Sequence, residues 1–189
     1  MTTKKHSDRE LFLEWGIHFP TRTIELMGDI DADSARRVSV GLHMFESENS
    51  DQITILLNSA GGDDYSGYAI FSAIKNCDSE VVIETSGHVM SMAVFVLQAG
   101  DRRICTDPFM RFMVHESQHE ATGTHATELH AYTKETEALD EVYNRVLLTR
   151  IKEKNPKFKM SELEAMIKKY EYFDAQTALK LGLIDEIVN

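Results

Sequence analysis

Several features that would place a protein in a special class are scarce or missing in this sequence. The 189 residues include only three prolines and ten glycines, which argues against low complexity and extensive disorder. No apolar run approaches the roughly 18 residues of a membrane-spanning helix. Residues 1–10 lack the apolar stretch of a signal peptide. We therefore expect a protein of the cytoplasm that does not enter a membrane.

Cysteine and positive charge are also scarce. Two cysteines, Cys77 and Cys105, cannot build a disulfide framework, and neither lies in a metal-binding knuckle, so a reducing environment is expected. The 31 acidic residues outnumber the 20 lysines and arginines, giving a formal net charge of -11. Because a nucleic-acid backbone requires a dense basic surface, nucleic-acid binding is not expected.

Segments typical of strands alternate with segments typical of helices as far as residue 115. Predicted strands cover 22–28, 52–59, 80–87 and the short segments RRICT and MRFMV; predicted helices follow Asp31 or Asp33 and cover 65–76 and 91–100. This alternation predicts an α/β layered fold with mostly buried strands. We expect one domain over 1–189, in which 1–20 form a polar N-terminal segment.

The pattern changes from His125 to about Lys154. Apolar residues then fall near a seven-residue repeat, at Leu129, Tyr132, Leu139, Tyr143 and Val146. This predicts one long amphipathic helix over 125–154, which either projects to pack on another subunit or folds back on its own core. A short helix over 160–170, capped by Ser161, and then a helix and a final strand are predicted to close the chain.

One motif in this region is typical of zinc proteases. Its residues are His115, Glu116 and His119, with His125 as a third histidine. In such enzymes two histidines one helical turn apart bind zinc, and the glutamate between them polarises a metal-bound water. The segment MRFMV before the motif instead favours a buried strand, and Thr122 replaces a glycine that this class requires. We therefore expect no metal here.

Ser91 begins the predicted buried helix directly after a strand. One interpretation is a helix N-cap. The other is a nucleophile, because unpaired amides at a helix N-terminus stabilise negative charge beside the hydroxyl. The turn NSAGGDD over 58–64 allows the same two interpretations: a strand–helix turn that needs positive φ, or amides that form an oxyanion hole. With His115 as general base, these parts would make an acyl-transfer site.

The order of four segments carries a family resemblance. LLNSAGGDDYSGYAIFSAI, SGHVMSMAVFVLQAGDRRI, MRFMVHE and ALKLGLIDEIV resemble the proteolytic subunit of the Clp protease (ClpP), especially its shorter phage and phage-like versions, from about Thr23 to the C-terminus. The resemblance implies that Ser91 is the nucleophile and His115 the base. It also implies that the amides of Gly62 and Met92 form the oxyanion hole.

The resemblance further implies an overall architecture and partners. The fold would be the ClpP/crotonase-like spiral of β-β-α units, with 125–154 as its projecting handle helix. The chain would form a homo-oligomer of seven-membered rings, usually stacked in pairs. An AAA+ unfoldase ATPase would deliver unfolded polypeptides to these rings in the cytoplasm of a bacterial or phage-infected cell. No cofactor is implied.

The sequence departs from the family where the catalytic aspartate is expected. Aligned without a gap on GLIDEI, Tyr170 takes the aspartate position, and Glu171 follows it. Glu171 is the candidate third residue, reached by a small backbone shift. Lys168 and Lys169 replace an acid–arginine pair that helps two rings to join, and Gly123 is the one glycine left of a glycine-rich strand.

These residues predict a serine endopeptidase that hydrolyses unfolded polypeptides by an acyl-enzyme mechanism. One alternative is a related ring component with a weakened or inactive site, and a second is the zinc metalloprotease of the histidine motif. A third, a crotonase-type enzyme acting on acyl-CoA, lacks a pair of pocket glutamates for proton transfer and leaves Ser91 without a role.

Overall fold

The protein is described here by a computed structural model that covers residues 8–118 and 125–188. Within these ranges the helices are α1 Asp8–Trp15, α2 Ala32–Glu46, α3 Asp64–Lys75, α4 Met92–Leu97, α5 Ala126–Lys154, α6 Met160–Lys168 and α7 Ala175–Leu181. The strands are β1 Ile17–His18, β2 Thr23–Met27, β3 Ile53–Ser59, β4 Val81–Met90, β5 Arg102–Cys105, β6 Arg111–Val114, β7 Glu171–Asp174 and β8 Glu186–Ile187. The predicted α/β class is confirmed.

One mixed sheet forms the centre of the structure. Strands β2, β3, β4, β5 and β8 lie side by side and parallel, while β1 pairs antiparallel with β2. Strand β6 pairs parallel with β4, and β7 pairs antiparallel with β6. The helical crossovers bury the strands, so that Ile53, Ile55 and Leu57 of β3 have no exposed surface.

Strand β4 is longer than the sequence predicts, because it does not stop at Gly87. Residues 82–85 in its first half pair with β5, and residues 88–90 in its second half pair with β6. Gly87 lies between these halves with a φ of +68°, where the register against β3 also shifts. A glycine there lets one strand exchange partners and continue to Met90.

Helices α2, α3 and α4 cover the sheet. In α2 the four apolar residues at helical spacing, Ala35, Val38, Leu42 and Phe45, are all buried, and the Asp31 side chain caps the helix by accepting from the Ser34 amide. All six residues of α4 are buried. This helix therefore lies inside the domain, and the site residues at its N-terminus rest on a rigid support.

The long helix α5 is buried along only part of its length. It runs for 29 residues, about 43 Å at 1.5 Å per residue. Leu129 and Tyr132 in its first half are exposed, whereas Tyr143, Leu147 and Ile151 in its second half are buried in the core. The helix is therefore anchored at its C-terminal half and projects at its N-terminal half.

The structure differs from the sequence-based predictions at both ends of the chain. Helix α1 and strand β1 lie within the segment 1–20 that was expected to be merely polar. Strand β7 was not predicted, because four residues next to a helix carry too short a pattern. Helix α6 begins at Met160, so Ser161 is not its cap. None of the described helices combines the length and apolarity needed to cross a membrane.

Candidate active site

Ser91 lies between the end of β4 and the start of α4 in a strained conformation. Its φ is 53° and its ψ is -128°, a region that residues other than glycine rarely adopt. Three hydrogen bonds hold its backbone: its amide donates to Met113, and its carbonyl accepts from the Val94 amide and the Tyr143 hydroxyl. Its side chain makes no capping bond to α4. The hydroxyl is therefore presented outward rather than used as an N-cap.

His115 follows β6, which is the parallel neighbour of the second half of β4. The pairing of Met90 with Met113 brings the carboxyl ends of both strands together. As a result, the Nε2 atom of His115 lies 2.8 Å from the Oγ atom of Ser91, across 24 residues of sequence. This distance is that of a hydrogen bond between a hydroxyl and a basic nitrogen.

The glycine turn lies directly against Ser91. Gly61 has a φ of +101°, and a β-carbon added there would come within 2.7 Å of the Ser91 β-carbon. Gly62 has a φ of +149° and forms a parallel bridge with Ile30, through the amides of Ile30 and Asp63. Glycine is required at both positions, because a β-carbon would collide with Ser91 at position 61 and with the Ile30 backbone at position 62.

Two backbone amides beside Ser91 are available as donors. The bridge to Ile30 does not use the N–H of Gly62, and successive amides of an extended segment face opposite ways, so this N–H turns toward the cleft that Gly62 lines. Met92 is the first residue of α4, where amides have no partner within the helix. Within the described residues, neither amide donates to a protein acceptor.

Tyr170 lies against His115, and Glu171 begins strand β7 one position later. Continuing the antiparallel register of β6 and β7 places Tyr170 opposite His115, while Glu171 pairs with Val114. The Tyr170 ring stacks on the imidazole, with centroids 5.2 Å apart and planes 20° apart. Its φ is 53°, and its hydroxyl accepts from Gln118 at 2.8 Å.

The expectation that Glu171 reaches His115 is therefore not met. Within the described residues, the Nδ1 atom of His115 is buried and has no hydrogen-bond partner. Glu171 is the first residue of β7 and pairs with Val114 rather than with His115.

A cleft of about 410 Å³ opens in front of the Ser91–His115 pair. Four carboxylates line it, called here the cleft carboxylates: Asp63, Asp64, Glu135 and Asp140. Helix α5 supplies the last two; Tyr65 donates to Glu135 at 3.1 Å, and Ser117 donates to Asp140 at 2.5 Å. The described part of the chain places no lysine or arginine in the lining, so the cleft is acidic.

The zinc motif does not have the conformation that it requires. His115 and Glu116 follow a strand and are not helical. His119 lies outside the described residues, as does Gly123, and His125 is exposed at the start of α5. Among the residues that the structure describes, no three histidine, cysteine or acidic side chains are grouped as a metal site would need.

Sequence reasoning missed the contribution of helix α5 to this site. Tyr143 is buried behind Ser91, and burial together with the charges of Asp140 and Asp64 raises its pKa. It was assigned only to an apolar stripe, because a heptad pattern does not show what an individual tyrosine hydroxyl contacts.

Lys168 and Lys169 are exposed, as the sequence alone would predict for lysines.

Comparisons with known proteins assign the chain to a family. The profile of the family described as Clp protease matches residues 9–189. Among curated proteins, the chain is similar to the ATP-dependent Clp protease proteolytic subunit 3, chloroplastic, of Arabidopsis thaliana, at 28% identity over 171 residues. That alignment covers 89% of this chain and 53% of the relative, so the chain spans about half the relative's length. The central sheet flanked by helices is consistent with the fold of this family, and the chain belongs to the Clp protease family of peptidases.

Proposed function

We propose that the chain is a serine endopeptidase that cleaves unfolded polypeptides inside an oligomeric ring. The observation that carries the proposal is the 2.8 Å contact between the Ser91 hydroxyl and the His115 imidazole, at the mouth of an open cleft. The strained backbone of Ser91 supports it, because strain of this kind persists where a function maintains it.

The reaction would proceed in two acyl-transfer steps. Ser91 Oγ attacks the scissile carbonyl carbon while Nε2 of His115 takes the hydroxyl proton. The amides of Gly62 and Met92 donate to the resulting oxyanion. Collapse breaks the C–N bond, and His115 returns the proton to the leaving amine. A water molecule, deprotonated by His115, then hydrolyses the acyl ester and restores Ser91.

The ring, the ATPase partner and the cytoplasmic location belong to the same proposal. The exposed apolar residues Leu129 and Tyr132 on the projecting half of α5 are suited to packing between subunits. A ring encloses its active sites, so an AAA+ unfoldase would be needed to deliver folded substrates. Exposed Lys168 and Lys169 replace the pair that joins two rings, which favours a single ring at neutral pH.

One specific observation favours a second candidate, a ring component that does not cleave. Tyr170 occupies the aspartate position, and the Nδ1 atom of His115 has no carboxylate partner among the described residues. A serine–histidine pair without a carboxylate is a weaker catalyst, since no negative charge stabilises the imidazolium that forms.

Labelling with a fluorophosphonate probe separates the two candidates. The endopeptidase is expected to label at one residue, with Ser91→Ala removing both the label and cleavage of an unfolded casein substrate. Ser86→Ala, on the same strand five residues earlier, is the matched control and is expected to keep both. Assembled wild-type protein that neither labels nor cleaves would overturn the proposal and favour the non-cleaving component.

A further inference from the structure

The tautomer of His115 leaves one buried proton to be explained. For Nε2 to accept the Ser91 hydroxyl proton, the ring hydrogen must lie on Nδ1. That Nδ1 is buried and has no hydrogen-bond partner among the described residues. Because a buried donor without an acceptor is disfavoured, an acceptor is expected close to this atom.

Tyr170 does not serve as that acceptor. Its ring covers the face of the imidazole, whereas the Nδ1–H bond lies in the plane of the ring. Its hydroxyl already accepts from the Gln118 side chain at 2.8 Å. Tyr170 therefore supports the orientation of the imidazole but does not accept a hydrogen bond from Nδ1–H.

A small cavity of about 70 Å³ borders the imidazole and shares His115, Asp140 and Tyr143 with the lining of the substrate cleft. Its lining residues are His115, Glu116, Asp140, Tyr143, Asn144, Glu164, Ile167 and Lys168. A water molecule takes up about 30 Å³ in the liquid and needs two to four polar partners. The cavity therefore has the volume and the polar lining to hold one or two waters.

Three carboxylates line this cavity, and their surroundings differ. Glu116 and Glu164 are exposed, so both are solvated and free to move. Asp140 is half-buried, and the Ser117 hydroxyl holds one of its two oxygens at 2.5 Å. It also borders both the substrate cleft and the small cavity, as His115 does.

The charge of Asp140 acts within the protein interior. It adds to burial in raising the pKa of Tyr143, and to burial and Asp64 in raising the pKa of Tyr68 to about 12. Both tyrosines pack behind the site, against Phe95 of α4. A charge in such surroundings interacts more strongly with a nearby imidazolium than an exposed one does.

We propose that Asp140 of helix α5 acts as the positioning carboxylate for His115, through a bridging water molecule. The water accepts a hydrogen bond from Nδ1–H of His115 and donates one to the Asp140 carboxylate. The inference rests on the proposed function, since it describes how the same site works without the family's aspartate. The water fixes the tautomer, and the carboxylate stabilises the imidazolium that forms when Ser91 attacks.

The test compares Asp140→Asn with Glu164→Gln; Glu164 lines the same cavity from the exposed side of α6. Cleavage of a fluorogenic peptide is measured between about pH 5 and 9, where a histidine base titrates. Asp140→Asn is expected to lower kcat by about tenfold to hundredfold at unchanged KM, less than the roughly 10⁴-fold loss for a directly bonded carboxylate. Glu164→Gln should stay within about twofold of wild type, as a surface substitution does.

The pH profile distinguishes positioning from a merely structural role. Around the cavity the charged groups facing His115 are Glu116, Asp140, Glu164 and Lys168. Removing the Asp140 charge favours the neutral imidazole, so the acidic limb of the kcat/KM profile should move to lower pH. Ser117→Ala keeps the charge but releases the carboxylate, and is expected to lower kcat by a smaller factor without that movement.

A bypass variant completes the design. Tyr170→Asp puts a carboxylate at the family's aspartate position, so adding Asp140→Asn to it should cost less than about threefold in kcat if the two carboxylates share one role. Equal losses in both backgrounds, an unmoved acidic limb, or an equal effect of Glu164→Gln would overturn the inference while probe labelling of Ser91 still supports the peptidase. A wild type that neither labels nor cleaves would overturn both.

Discussion

Replacing Gly61 by alanine tests whether the glycine turn must lie against the nucleophile. An ideal β-carbon at Gly61 would come within 2.7 Å of the Ser91 β-carbon and 2.9 Å of the Met90 carbonyl oxygen. Real β-carbons do not approach other atoms so closely, so Ser91 or the turn must move. The φ of +101° adds backbone strain that a glycine does not have.

The two costs can be separated by a matched control. Backbone strain contributes about 1–3 kcal/mol, and overpacking contributes a further amount of about 1–3 kcal/mol. The mid-range values of the two costs add up to about 4 kcal/mol, which lowers Tm by roughly 8–16 °C in a chain of this size. Gly28 has a φ of +86° with no atom within 4 Å of an added β-carbon. Gly28→Ala therefore carries the strain alone, about 2 kcal/mol and roughly 4–8 °C.

Thermal unfolding and probe labelling together give the outcome. A shift of about 1 Å in a reacting group costs on the order of 100-fold in rate. We therefore expect Gly61→Ala to label roughly 100-fold more slowly at a temperature where it is folded. Gly28→Ala should label at close to the wild-type rate. The reasoning fails if the two variants share one Tm and one labelling rate, because the turn would then not constrain the serine.

Three further outcomes are expected. Tyr143→Phe removes the bond to the Ser91 carbonyl, so the free energy of unfolding falls by about 1 kcal/mol and labelling slows; unfolding in urea checks this. Burial opposes ionisation of Asp185, but the hydrogen bonds and charge of Arg103 hold its pKa below the usual 3.8. Asp185→Asn should therefore lose stability above about pH 4 and approach wild type as the pH falls below that value. Peptides with lysine beside the scissile bond should be cleaved faster than matched glutamate peptides, and added salt should reduce the difference, because the cleft carboxylates are unscreened only at low ionic strength.

Local patterns predicted the fold class and most of its elements. Four buried apolar residues of α2 recur at helical spacing, and the apolar segment of β3 is a strand in the structure. Gly87 was misinterpreted as a strand end because a sequence shows that a glycine breaks a pattern, but not that a strand exchanges partners there. Helix α5 shows the same limit: its apolar repeat predicts a helix, while the position where the core ends decides which half is buried.

At the site, residue types and their order were enough to select Ser91, His115 and the glycine turn. The candidate third residue depended on a difference of one position between Tyr170 and Glu171, and only the pairing of β7 with β6 shows that Glu171 lies opposite Val114 rather than His115.

The sequence by itself thus determined most of the elements and the chemical groups available, because periodicity and residue type are local properties. The tertiary structure decided which groups meet. Asp140 and His115 lie 25 positions apart on different elements, and nothing in either segment encodes their common cavity. Such proximity arises from the packing of a helix against a strand end, which depends on the whole core rather than on any one segment.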